Sequence, residues 1–166
     1  FLHSATMVKA GVYLLARLYP TLGKTPAWAD LLVTIGLLTL LVGSALALRQ
    51  RDLKGLLAYT TVAQLGALVA LIGLPDYAGF KALAVGILAH ALYKAPLFLS
   101  AGIVDHATGT RIIDKLGGLR QHLPGTAVIV GLACLSMAGL IPLLGFVGKE
   151  TLLEAFIDSP PAPAVI

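Results

Sequence analysis

The sequence has 166 residues, is 58% hydrophobic and only 12% charged, and has a mean hydropathy of +0.92. A water-facing surface needs about twice that share of charge, which excludes a soluble domain. The net charge of +4 does not point to nucleic acid, because the basic residues are spread over connecting segments with no basic stripe interleaved with aromatics.

Five apolar spans are expected, near 1–19, 29–48, 56–74, 80–104 and 126–144, with the start of a further helix near 149. The fold class is therefore all-α, a polytopic transmembrane helical bundle. The first span contains His3, Ser4, Thr6 and Lys9 and closes with Arg17 and Pro20. A connector with Gly23, Lys24 and Pro26 follows, and Trp28 stands where an interfacial aromatic would anchor the next helix. The second span carries no charge over about twenty residues, enough to cross about 30 Å of hydrocarbon. After the basic connector RQRDLKG, the third span carries Thr60, Thr61 and Gln64, and Pro75 and Gly79 then act as breakers.

The fourth span holds His90 and Lys94, four residues apart and so one turn apart on one helix face. Pro96 lies just beyond, where proline removes a backbone hydrogen bond and tends to kink a helix. Asp105 to Gly125 is the longest polar stretch. By parity it lies on the same side as RQRDLKG. The fifth span is rich in small residues that let helices approach closely. It ends in IPLLGFVGKE, where Pro142, Gly145 and Gly148 precede Lys149 and Glu150, and TLLEAFI resumes the helical pattern. A Pro/Gly interruption with a lysine beside it is the pattern of a broken helix lining a cavity. The chain starts inside an apolar segment and ends in a proline-rich run, so it reads as an internal fragment of one longer transmembrane transporter domain.

A lone charge at mid-bilayer costs roughly 3 kcal/mol on insertion scales. Lys9, His90, Lys94 and Lys149 would together cost on the order of 10 kcal/mol if they faced lipid, comparable to the stability of an ordinary domain. They are expected to face the bundle interior and to line a hydrated axis. For Lys9 the alternative is a side chain snorkelling to the interface, and Thr6 stands one turn before it as a hydrogen-bond partner. For His90 with Lys94 the alternative is a satisfied core histidine beside a structural cation. The functional reading is a relay, since imidazole accepts on one side and donates on the other, and two cations one turn apart favour handing a proton on over storing two. For Lys149 with Glu150 the alternative is a surface ion pair at a helix start. Thr60, Thr61 and Gln64 either line a polar path or act as helix-packing glue. Cys134 is the only cysteine, so no internal disulfide forms. Nucleophilic triads, phosphate loops and metal motifs are absent, and no cofactor is expected.

HSATMVKAG, RDLKGLLAYTTVAQLG, HALYKAPLF, DHATGTR, KLGGLR and GLIPLLGFVGKE occur in this order. The set resembles the antiporter-like proton-translocating membrane subunits, which include the large membrane subunits of respiratory complex I and of Mrp multisubunit sodium/proton antiporters. DHATGTR followed by KLGGL is most similar to the large A subunit of the latter. The resemblance implies two inverted five-helix repeats with broken helices, of which this chain is a piece. It also implies proton translocation through Lys9, His90, Lys94 and Lys149, with Thr6, Thr60, Thr61, Gln64 and Glu150 as a polar path. Further implications are opposed movement of Na+ or another monovalent cation, companion membrane subunits and a multi-pass place in the plasma membrane. The alternative is a proton-pumping membrane subunit of a quinone reductase whose redox cofactors sit in other chains. Gly86 stands where complex I relatives carry another histidine.

Overall fold

A computed structural model describes residues 6–23, 25–74 and 77–158. His3, Ser4, Lys24 and Pro75 lie outside the described residues. Among the described residues seven α-helices follow one another: α1 Val8–Leu22, α2 Pro26–Leu48, α3 Leu53–Gly73, α4 Tyr77–Thr108, α5 Leu119–His122, α6 Pro124–Ala138 and α7 Leu144–Ile157, with a 3-10 turn at Ile113–Lys115. Three of them, α2, α3 and nearly all of α4, are long and apolar enough to cross a membrane.

The helix starts follow local chemistry. Pro26 opens α2 at a position whose backbone N–H would be unpaired in any case. Asp52 caps α3 by accepting from the Gly55 N–H at 2.9 Å. α2 and α3 then pack backbone to backbone. A Cβ on Gly36 would stand 2.6 Å from the Ala70 nitrogen and the Gly66 oxygen, and one on Gly43 would stand 2.8 Å from the Ala63 nitrogen. In a bilayer such close approach supplies the van der Waals contact that water would otherwise drive.

Two expected boundaries move. Gly79 does not break the chain but lies in the first turn of α4, where a side chain would meet the Leu71 carbonyl oxygen at 2.7 Å. The fifth span does not run to residue 144. α6 stops at Ala138, Gly139 turns left-handed with φ of 83°, and the helix resumes at Leu144. Gly145, Gly148 and Lys149 therefore lie inside α7, not ahead of it. The break is smaller than the Pro/Gly cluster suggests because two of its glycines serve contact and not turning. Pro96 is carried inside the continuous, 32-residue α4.

One core cluster joins Val12 of α1, Leu32 of α2, Leu68, Leu71 and Ile72 of α3, Leu83 of α4 and Ala155 of α7, with Trp28 packed against it. A second joins Leu57 of α3 to Ala89, Tyr93 and Leu97 of α4 and Ala133 of α6. The buried face of α4 runs through Ala89, His90, Tyr93, Lys94, Leu97, Ala101 and Val104, while Leu88, Leu92, Leu99 and Ile103 point outward. That is the i, i+3, i+4, i+7 spacing of one helical face.

The connectors after α2 and α4 meet. Asp52 and Ile112 form an antiparallel bridge, with Leu53 N–H donating to the Arg111 carbonyl at 3.0 Å and Ile113 N–H to the Arg51 carbonyl at 2.8 Å. Three ion pairs cross the same seam: Arg111 with Asp52 at 2.6 Å, Lys54 with Asp105 at 2.7 Å and Arg51 with Asp114 at 3.3 Å. The hydrogen bond from the Gly55 N–H, followed by the Arg111 guanidinium, holds the Asp52 carboxyl below its ordinary 3.8. A depressed carboxylate adds stability that is complete above the ordinary range and is lost as pH falls through the lowered value. Unfolding temperature should therefore decline on acidification below about pH 4, and Asp52→Asn, which keeps the cap, should flatten that decline. The pair is partly exposed and contributes only about 0.2–1 kcal/mol. An unchanged pH slope in the variant would rule out this role for Asp52.

Candidate functional site

The polar groups of the bundle gather on the inner face of α4. His90 has no exposed surface, and Lys94 is 1% exposed. Lys94 reaches across to α3, where its Nζ donates to Thr60 Oγ1 and, at 3.1 Å, to the Leu57 carbonyl. The cradle is polar but uncharged. Thr60 Oγ1 also bonds the carbonyls of Leu56 and Leu57, at 2.9 and 3.0 Å, and Thr61 Oγ1 bonds the Leu57 carbonyl at 2.8 Å. Hydroxyls on consecutive α3 residues thus converge on one turn of backbone. A cation held by neutral oxygens keeps its donors satisfied without a carboxylate that would trap it.

His90 stands one turn earlier on the same face, edge-on to Tyr93 with ring centres 5.5 Å apart. Neither ring nitrogen has a hydrogen-bond partner among the described protein groups. Lys9 is buried on α1, directly after a π-helical turn at Thr6 and Met7, and Thr6 itself is exposed.

Lys149 is placed differently. It is exposed, as is Glu150, and its Nζ donates to the Ala138 carbonyl at 2.9 Å. That carbonyl belongs to the last residue of α6, where the helix leaves its oxygens unpaired and carries partial negative charge. The lysine stem lies over Gly139, where an added Cβ would stand 2.8 Å from Lys149 Cδ. Lys149 thus closes the break between α6 and α7. Among the described residues no ion pair joins it to Glu150. A small cavity of about 10 Å³ between α3, α4 and α7 is lined by Gln64, Gly86, Tyr93, Gly148 and Lys149. It is about the volume of one water probe, and both Lys149 and Tyr93 line it.

The structure therefore brings His90 and Lys94 onto one buried face of α4, with Thr60 as direct partner of Lys94, and buries Lys9 on α1. Thr61 is turned to its own helix backbone, and Gln64 borders the small cavity. Reasoning from side-chain type missed three participants. Tyr93 was legible in principle, since it lies three residues after His90 on the same face. The carbonyls of Leu57 and Ala138 have no side-chain signature, although a glycine following a helix, as at 139, is a general sign of carbonyls needing partners.

Residues 1–165 match the family described as NADH:quinone oxidoreductase/Mrp antiporter, TM. The chain is 46% identical to the A subunit of the Na(+)/H(+) antiporter of Alkalihalophilus pseudofirmus, over 95% of this chain and 21% of the relative. It is 46% identical to the A/B subunit of a probable K(+)/H(+) antiporter of Rhizobium meliloti, over 96% and 16%. A chain in the solved structure of the Mrp complex from Dietzia superposes with a TM-score of 0.90 at 49% identity, over 98% of this chain and 18% of that one. The sequence thus spans about a fifth of the length of these relatives. Both curated relatives are named as antiporter subunits, the second as a probable one. With the superposition covering nearly the whole chain and the family match running nearly end to end, this chain belongs to the NADH:quinone oxidoreductase/Mrp antiporter transmembrane family.

Proposed function

We propose that the chain is part of a proton-translocating subunit of a multisubunit monovalent cation/proton antiporter in the plasma membrane. Lys9, His90, Lys94 and Lys149 carry the protons, and Thr6, Thr60, Thr61, Gln64 and Glu150 border the path. The observation that supports this most is the buried group on α4: a lysine held only by neutral oxygens, one turn from a histidine with two unpaired nitrogens. A fully buried cation without a counter-charge is costly to keep. A group that takes and gives up its proton in turn explains why it is kept. The fully buried imidazole, one turn from Lys94, serves as acceptor and donor between Lys9 and Lys94.

Sodium is the first cation to test, since several relatives are named for it, and potassium the second, after the Rhizobium relative. The family description also covers quinone reductases, but the relatives named as antiporter components favour the antiporter. The test is cation-induced collapse of a pH gradient in everted vesicles carrying the full-length protein within its complex. His90→Phe, which keeps ring volume and removes both nitrogens, should lower exchange by about a hundredfold or more, the lower end of proton-transfer contributions. Undiminished exchange in an intact complex would end the relay reading. Exchange that required NADH would favour the quinone reductase.

A further inference from the structure

Two lysines cross the α3–α4 pair in opposite directions. Lys94 of α4 reaches α3 at Thr60 and at the Leu57 carbonyl. Lys54 of α3 reaches α4 at Asp105, with its Nζ 2.7 Å from the carboxylate. On α3, Lys54, Leu57 and Thr61 follow the i, i+3, i+7 spacing of one helix face, and Leu57 and Thr61 are buried. On α4, Lys94, Leu97, Ala101 and Asp105 lie at i, i+3, i+7 and i+11, again one face, and the first three are buried. Lys54 stands one turn, about 4.5 Å of helix rise, before Leu57. The ion pair and the Lys94 cradle are thus successive cross-links between the same two helix faces.

The start of α3 depends on its polar links to α4. Leu53, Leu56 and Leu57 of α3, with Leu97, Ala101 and Val104 of α4, line an apolar chamber of about 550 Å³ that α6 bounds on its other side. Within this chain the first turns of α3 therefore border open volume on the side toward α6. What ties them to α4 and its connector is the Lys54–Asp105 pair and the bridge between Asp52 and Ile112. The other two acids at this seam are engaged elsewhere, Asp52 with Arg111 and Asp114 with Arg51.

The cradle tolerates little movement. The bond from Lys94 Nζ to the Leu57 carbonyl is already 3.1 Å long, and about 0.5 Å more takes it out of hydrogen-bond range. The side chains of Lys54 and Asp105 are 40% and 31% exposed, so the pair adds little against unfolding. Against a shift of a fraction of an ångström, which breaks no apolar core, the same small term decides which position of the turn is populated.

We propose that Lys54 and Asp105 are a positioning pair, tying the start of α3 to α4 so that the turn from Leu57 to Thr60 stays within reach of Lys94. This rests on the role given to Lys94 under the proposed function. Neither Lys54 nor Asp105 handles the transferred proton; both act through the cradle.

The test uses the full-length protein in its complex, with exchange in everted vesicles measured per assembled complex. Asp105→Asn and Lys54→Gln should each lower maximal exchange about fivefold, the most that a pair this exposed supplies. The cation concentration for half-maximal exchange should not change. The double variant should be no worse than either single one, and Lys54→Arg, which keeps the pair, should exchange normally. In a Thr60→Val background, where the cradle is already weakened, Asp105→Asn should cost less than about twofold, whereas a residue that acts independently of the cradle would cost the same factor in both backgrounds. Lys94→Met separates the two readings. If it still exchanges, the transport reading falls and the positioning pair with it. If it does not, positioning alone is overturned by normal exchange in Asp105→Asn, by an equal loss with and without the Thr60 hydroxyl, by failure of Lys54→Arg, or by loss of assembly in both single variants.

Discussion

Lys94→Met in the full-length protein is expected to assemble normally and to lose proton-coupled cation exchange by on the order of a hundredfold or more, the scale of a positioned proton-transfer group. The two halves of that expectation rest on different observations. Assembly survives because the cradle is self-satisfying. Without the ammonium, the Leu57 carbonyl still accepts from Thr61 Oγ1 at 2.8 Å, and Thr60 Oγ1 still donates to the Leu56 carbonyl at 2.9 Å. No partner charge is stranded, since none of the groups that hold Lys94 is charged. Replacing a buried ion by an apolar residue of similar shape is often neutral or stabilising when no opposite charge is left behind. A purely structural lysine would have to show the reverse pattern, with assembly lost and exchange per complex retained.

Lys94→Arg sharpens the test. Arginine keeps the positive charge and can still donate to Thr60, but it does not release its proton under physiological conditions. If a fixed charge is all that is needed at this position, Arg should support exchange. If the group must pass its proton to His90, Arg should fail about as badly as Met. Retained exchange in the Arg variant, measured per assembled complex in everted vesicles, would refute proton hand-off at Lys94 while leaving an electrostatic role.

The contrast between Lys94 and Lys149 shows what the sequence could and could not tell. The cost of a lysine in an apolar run marks both, and both are expected to face the bundle interior and line a hydrated axis. For Lys94 the expected inward placement holds, because it and His90, four residues apart, are buried on one face of α4. For Lys149 it does not, because the partner is the backbone oxygen of Ala138, exposed by a helix end whose position depends on tertiary contact. The existence of helices α1 to α4 was legible from length and apolarity alone. Their buried faces were not, since in α4 the outward-facing residues Leu88, Leu92 and Leu99 are as apolar as the buried Leu97. In a membrane helix only small or polar residues betray the inner face. The boundaries at Gly79 and Gly145 were misread for a related reason: glycine signals a turn and a close contact alike, and only the neighbouring helix distinguishes them.

Gly145→Ala is the substitution expected to damage the fold most for its size. An ideal Cβ at this position would stand 1.7 Å from the Ser136 carbonyl oxygen and 3.1 Å from Ser136 Oγ. Neither obstacle can swing aside freely, since the carbonyl is helix backbone and Ser136 Oγ accepts the Gly145 N–H at 3.3 Å. The start of α7 must therefore move away from the end of α6, at a cost of about 3 kcal/mol, the upper range for an inserted methyl group. At Gly148, one turn on, a Cβ would meet only the Ala89 side chain at 3.3 Å, and Gly148→Ala should be mild by comparison. Thermal unfolding of the purified complex should thus separate the two variants by several degrees. Equal midpoints would mean that the contact between α6 and α7 yields at little cost. The same displacement lifts Lys149 off the Ala138 carbonyl, since Lys149 lies one turn beyond Gly145 on the same helix face. Under the proposed function, exchange per assembled complex should fall in Gly145→Ala and stay near normal in Gly148→Ala. A Gly145→Ala complex that assembles and transports normally would show that the position of Lys149 at the helix break is not required.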